Sequence, residues 1–134
     1  MPPKILLAGD SESTRTAIKR LITGRTKCEI CAEAADGDEL VEKTKTECPD
    51  VAILDISMPK MDGLKAVGEL LRCSPNTAVL AYNFWDVPVL TAELKKVGIK
   101  GFVPNARMST DLIRAIEIIL DGGDFFRTEF AQTA

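Results

Sequence analysis

Histidine is missing from this sequence altogether. Its absence excludes Ser-His and Cys-His hydrolase chemistry, and it leaves the four cysteines without the imidazole partners of a mixed tetrahedral zinc site. An excess of positive charge is also missing: the net charge is −3, the pI is about 5.0, and no basic run interrupts the chain. Nothing in that balance is suited to holding nucleic acid or an anionic membrane surface. No apolar stretch approaches the length of a membrane span, and Met1-Pro2-Pro3-Lys4 leads directly into a strand pattern instead of a secretion signal, so the expected compartment is the cytoplasm. With 134 residues there is room for one hydrophobic core and none for a two-domain enzyme.

The cysteines are Cys28, Cys31, Cys48 and Cys73. Cys28 and Cys31 make a C-x2-C pair, but no second pair completes a metal site, and both fall in or beside an apolar strand pattern where small buried thiols are common. They are expected to be structural thiols.

What is present is an alternation of two periods. Ile5 to Ala8 is an apolar run that ends in Gly9-Asp10, and Ser11 to Ser13 can cap a helix carrying Ala17, Ile18, Leu21 and Ile22 until Gly24. A second strand over Glu29–Ala34 precedes a helix from about Asp38 to Glu47, with Leu40, Val41 and Thr44 inward. A third strand, Val51 to Leu54, is followed by a helix from about Leu64 to Cys73, ended by Ser74-Pro75-Asn76. The fourth strand, Ala78 to Tyr82, ends at Asn83. Asp86-Val87-Pro88 starts a helix carrying Leu90, Leu94 and Val97, which stops at Gly98. Gly101 to Val103 is a short fifth strand, and Ser109 can cap a last helix whose inner stripe is Leu112, Ile113, Ile116, Ile119 and Leu120, closed by Gly122-Gly123. Five strand-then-helix units predict an α/β fold: a doubly wound, five-stranded parallel sheet with five helices, flavodoxin-like in its order 2-1-3-4-5.

The stretch around which this plan is organised is Val51 to Gly63, VAILDISMPKMDG. Asp55 stands at the C-terminal end of a buried strand, at the mouth of the sheet, where open α/β folds bind their ligands. In the predicted order the first and third strands are neighbours, so Asp10 and Asp55 converge at one switch point, a pair of hard oxygen donors of the kind Mg²⁺ prefers. Asp10 can alternatively serve only as a cap for the first helix.

These residues resemble the receiver domain of bacterial two-component response regulators. The run Asp55-Ile56-Ser57-Met58-Pro59-Lys60-Met61-Asp62-Gly63 carries the resemblance, supported by Ala34-Ala35-Asp36-Gly37, by Pro49-Asp50 and by Gly98-Ile99-Lys100-Gly101-Phe102-Val103. It spans about Lys4 to Gly122, and the Gly-Gly-Asp-Phe ending is most similar to receivers that precede a C-terminal helix-turn-helix. The resemblance implies a phosphorylation switch: Asp55 as phosphoacceptor from a histidine kinase, and Mg²⁺ held by Asp10, Asp55 and the backbone carbonyl of Ser57. It further implies a hydroxyl residue ending the fourth strand, a lysine ending the fifth, and Phe102 as an aromatic that swings inward on activation. A buried strand residue is the plain alternative for Phe102.

Three positions depart from that pattern. Gly9 replaces the first of two consecutive acids, Asn83 falls where the hydroxyl residue belongs (Tyr82 if the alignment shifts by one), and Asn105 replaces the lysine. Losing a carboxylate weakens a hard-cation site, and losing the lysine removes a formal charge that would face the phosphoryl group. Asn83 and Asn105 can donate amide hydrogens but no charge. The expectation is therefore a receiver, not an enzyme, that is weakly or not phosphorylation-dependent, with weak Mg²⁺ binding. The alternative is a conventional phosphorylation-activated receiver of a transcriptional regulator. A phosphoaspartate hydrolase needs a second acid where Ser57 stands, and a flavin or nucleotide carrier needs a phosphate cradle that Asp10-Ser11-Glu12-Ser13-Thr14 does not make.

Expected partners are a histidine kinase or other signalling protein, or a second copy in a homodimer. The fourth helix, fifth strand and fifth helix form the first candidate surface, and the first and last helices the second. Phe84 and Trp85 either pack on the fourth helix or shield the site. Residues 1–123 are assigned to the receiver domain and 124–134, with Phe125, Phe126 and Phe130, to a tail or the start of a linker to an output domain not carried here.

Overall fold

A computed structural model describes residues 2–58, 62–83 and 88–126. The strands are β1 Lys4–Ala8, β2 Glu29–Ala34, β3 Val51–Asp55, β4 Ala78–Asn83, β5 Gly101–Pro104 and β6 Phe125–Phe126. Between them lie α1 Glu12–Arg25, α2 Gly37–Glu47, α3 Gly63–Cys73, α4 Pro88–Val97 and α5 Met108–Leu120. Every pairing is parallel, in the order β2-β1-β3-β4-β5-β6. This is the flavodoxin-like sheet expected from the alternation of periods, extended by a short sixth strand where the tail pairs with β5.

The apolar runs became strands because both of their faces are covered. Ile5, Leu7, Ile53, Leu80 and Val103 meet α1 and α5 in one core, while Leu6, Leu54, Val79, Ala81 and Phe102 meet α2, α3 and α4 in the other. All of β3 is buried, Asp55 included. Cys28 packs at the edge of the first core and Cys31 at the edge of the second, on opposite sides of the sheet. The ladder between β1 and β2 skips Cys31, a bulge that turns the chain between them. Two thiols facing opposite layers cannot share a ligand, and both are free.

Several boundaries differ from the sequence expectation. Gly24 does not stop α1, which runs on to Arg25, because an exposed glycine one residue from a helix end costs little. Ser109 does not cap the last helix: a 3-10 turn, Asn105–Arg107, feeds straight into α5 and puts Ser109 inside it. Val97, an apolar position of α4, and Leu120, expected on the inner stripe of α5, are both 37% exposed, each standing at the last position of its helix. Ala17 is exposed on α1 while Ile18 and Ile22 are buried. Asp86 and Val87 lie outside the described residues; Pro88 opens α4 as a first-turn proline should. No helix among the described residues is long and apolar enough to cross a membrane.

Candidate functional site

The C-terminal ends of β1, β3 and β4 meet at one level. Ala8 lies opposite Leu54 and Asp55 lies opposite Tyr82, so the ladder brings Gly9, Asp55 and Tyr82 side by side. Asp55 is 6% exposed. Its Oδ1 accepts two hydrogen bonds from Ser57, from the backbone N–H at 2.9 Å and from the hydroxyl at 2.6 Å, which orient the carboxylate. The turn after it is closed by the Met58 N–H donating to the Asp55 carbonyl at 3.2 Å.

Asp10 is exposed and follows directly on this level. Its capping alternative does not hold: the N-cap of α1 is Ser11, whose hydroxyl accepts from the Thr14 N–H at 3.2 Å. Asp10 is thus left at the mouth of the sheet. Its charge and that of Asp55 both reach Tyr82: burial pushes the Tyr82 phenol up first, and the two carboxylates push it further in the same direction, against a smaller opposing effect of Arg15. The phenol is therefore a neutral hydroxyl across the physiological range.

Tyr82 and Arg15 are the residues that sequence reasoning missed as neighbours of Gly9. A Cβ placed on Gly9 stands 2.8 Å from the Tyr82 hydroxyl oxygen, 3.7 Å from the Asp55 Cβ and 3.9 Å from the Arg15 Cγ. Arg15 donates from its guanidinium to the Gly9 carbonyl and, through Nε at 3.0 Å, to Glu33. Lys19 completes that network with a 2.6 Å bond to the other oxygen of Glu33. A glycine among residues of one-domain size gives no sequence signal of what fills the space beside it; the only hint was the lone tyrosine at the end of a strand.

The remaining candidates divide. Asn83 ends β4 by its backbone, and its side chain lies outside the described residues, as do Phe84, Trp85, Pro59, Lys60, Met61 and Phe130. Asn105 opens the 3-10 turn after β5 and lines a groove between α1 and α5 with Ser13, Thr14, Ala17 and Met108. Phe102 is fully buried in the core on the α2, α3 and α4 side. The carboxylates that the described residues place at this end of the sheet are Asp10, exposed just after β1, and Asp55, at the end of β3. Carboxylate oxygens suit Mg²⁺, which keeps several waters and takes one or two carboxylates. Among the described residues, no group of three or more His, Cys, Asp or Glu is placed to hold a metal ion.

Comparisons with known proteins agree with this fold. The family model described as response regulator receiver domain matches residues 5–117. The chain is 28% identical to the transcriptional regulatory protein DegU of Brevibacillus brevis over 91% of its own length and 52% of that protein. It is 29% identical to the chemotaxis protein CheY of Thermotoga maritima, covering 87% of this chain and 96% of that one. Among solved structures, a LuxR-family two-component response regulator from Aurantimonas superimposes with a TM-score of 0.91 at 25% identity, over 98% of this chain and 94% of that chain. The chain spans about half to three fifths of several curated relatives it matches, such as DegU and the response regulator GacA of Pseudomonas syringae.

Proposed function

The chain belongs to the response regulator receiver domain family, and from that premise we propose that it is a two-component signalling module whose output depends weakly or not at all on phosphorylation of Asp55. Receiver domains are signalling domains, and at this site Asp55 is the nucleophile a phosphodonor would meet. The observation that carries the reading is at the end of β5. Residue 105 is an asparagine that opens a 3-10 turn and borders the α1–α5 groove, so β5 ends without a cation for the phosphoryl oxygens. A phosphoryl group in transfer spreads negative charge over its oxygens, and stabilising that charge is most of the catalysis.

Asp10, Asp55 and the Ser57 carbonyl would hold Mg²⁺, which supplies positive charge to the phosphoryl oxygens when bound. With a single carboxylate beside the phosphoacceptor, the binding is weak. Ser57 fixes one oxygen of Asp55, and burial of the β3 end keeps bulk water from the carboxylate. Partners are a histidine kinase or another signalling protein, or a second copy of the chain, acting in the cytoplasm; of the residues 124–134 assigned to a tail or linker, Phe125–Phe126 belong to the receiver's sheet, and those beyond lead toward an output domain such as the helix-turn-helix regulators carry. A partner on the α4, β5 and α5 surface would also meet β6, which runs along the β5 edge.

The test is intact mass after incubation with Mg²⁺ and acetyl phosphate, wild type against Asp55→Ala. The expected result is little or no phosphoryl gain at donor levels that fully modify an ordinary receiver. One phosphoryl group gained by the wild type alone would favour the conventional phosphorylation-activated regulator.

A further inference from the structure

We infer that Gly9 and Tyr82 are an interlocked pair, in which the Tyr82 hydroxyl occupies the space where residue 9 would place a second carboxylate, so that Tyr82 is a positioning residue that keeps the metal-facing side of the site short of charge. The inference deepens the weak-magnesium reading above and rests on its assignment of Asp10 and Asp55 to one site.

The geometry supplies the argument. Neighbouring parallel strands lie about 4.8 Å apart, and β1, β3 and β4 are consecutive in the sheet. Tyr82 therefore reaches from β4 across the level of Asp55 on β3 to the end of β1, a span that only a long side chain covers. Gly9, Asp55 and Tyr82 follow Leu7, Ile53 and Leu80 by two residues each, so all three face the layer of α1 and α5. The ring belongs to the core with Ile5, Leu7, Ile53 and Val103 and is 3% exposed, so it is held and does not swing aside cheaply. A Cβ at position 9 would stand 2.8 Å from the hydroxyl, closer than carbon and oxygen approach without a bond. The contact involves the hydroxyl itself, so the conflict is with tyrosine in particular. An acid at position 9 would point its carboxylate into the same region, 3.7 Å from the Asp55 Cβ at its root. Restoring the acid alone therefore does not restore the metal site.

A double-mutant cycle tests this. Mn²⁺ binding by calorimetry and melting temperature are measured for wild type, Gly9→Asp, Tyr82→Leu and the double variant. Gly9→Asp alone is expected to melt lower and to gain less than about threefold in Mn²⁺ affinity, Tyr82→Leu to change affinity by less than about twofold, and the double variant to bind at least about tenfold more tightly than wild type. A tenfold gain from Gly9→Asp alone, or a double variant equal to the product of the single effects, overturns the pairing. If Gly9→Asp does not fold, Gly9→Ala is compared in wild-type and Tyr82→Phe backgrounds; recovery of the melting temperature in the Phe background supports the pair, and an equal loss in both backgrounds overturns it. Stoichiometric phosphorylation of the wild type would sink the weak-site reading on its own, whatever coupling the cycle reports.

Discussion

Glu33 gathers two cations from α1 onto β2, Arg15 at 3.0 Å and Lys19 at 2.6 Å, and Arg15 in turn holds the carbonyl of Gly9 beside the site. The Lys19 hydrogen bond above all, then that from Arg15, holds the Glu33 carboxyl below its ordinary value of 4.5, against partial burial pushing the other way. Because the folded-state value is the lower one, the stabilisation is whole above pH 4.5 and is lost as the pH falls through the depressed folded value. Glu33→Gln should therefore lower stability near neutral pH by less than about 1 kcal/mol, the side chain being a third exposed, and the gap from wild type should close below the ordinary carboxylate range. Melting temperature against pH for the two proteins checks it; a gap that widens toward acid would refute the assignment. At this scale the sequence displayed Asp10 and Asp55, because a strand end announces its last residue. It did not display Tyr82 against Gly9 or Arg15 against Glu33, since those contacts join residues on different elements.

Elements were legible wherever a period was complete. Runs that are apolar without interruption became buried strands, while α2 and α3 begin one residue before the period indicated, at Gly37 and Gly63, behind the N-caps Asp36 and Asp62, whose side chains accept from the Glu39 and Lys65 N–H groups three residues on. Among the described residues, the strand not anticipated is β6, and the 3-10 turn Asn105–Arg107 was not anticipated either. Two phenylalanines have no period, and their pairing depends on β5 offering a free edge: the Phe125 N–H donates to the Lys100 carbonyl at 2.9 Å, and Phe126 pairs with Phe102. Phe125 enters the α5 side of the core at 8% exposure, while Phe126 lies on the other side under the Lys95 ammonium, 4.6 Å from its ring centre. One short strand thus closes the edge and touches both layers. Phe125→Ala should cost about 2–4 kcal/mol in urea unfolding, a core-sized penalty. A loss below about 0.5 kcal/mol would mean that β6 does not contribute to the fold.

For the whole molecule, the weak cation site has a thermodynamic signature. A ligand at a concentration equal to its Kd adds only about 0.4 kcal/mol to folding stability. With about 10 mM Mg²⁺ the melting temperature should therefore rise by no more than about 2 °C, and Asp10→Asn should abolish that rise. A rise several times larger would show that two carboxylates and a carbonyl already make a strong site.

The order of the strands, the two layers around them and the place of Asp55 at the end of a buried strand were determined by the sequence alone, because burial on both faces, right-handed crossovers and strand-end position are properties of local pattern. The filling of the Gly9 space by Tyr82, the bond of Arg15 to its carbonyl and the pairing of β6 with β5 were decided only by the tertiary structure. Each joins residues from different elements at a distance set by strand spacing and side-chain reach, and neither quantity is written in the order of the residues.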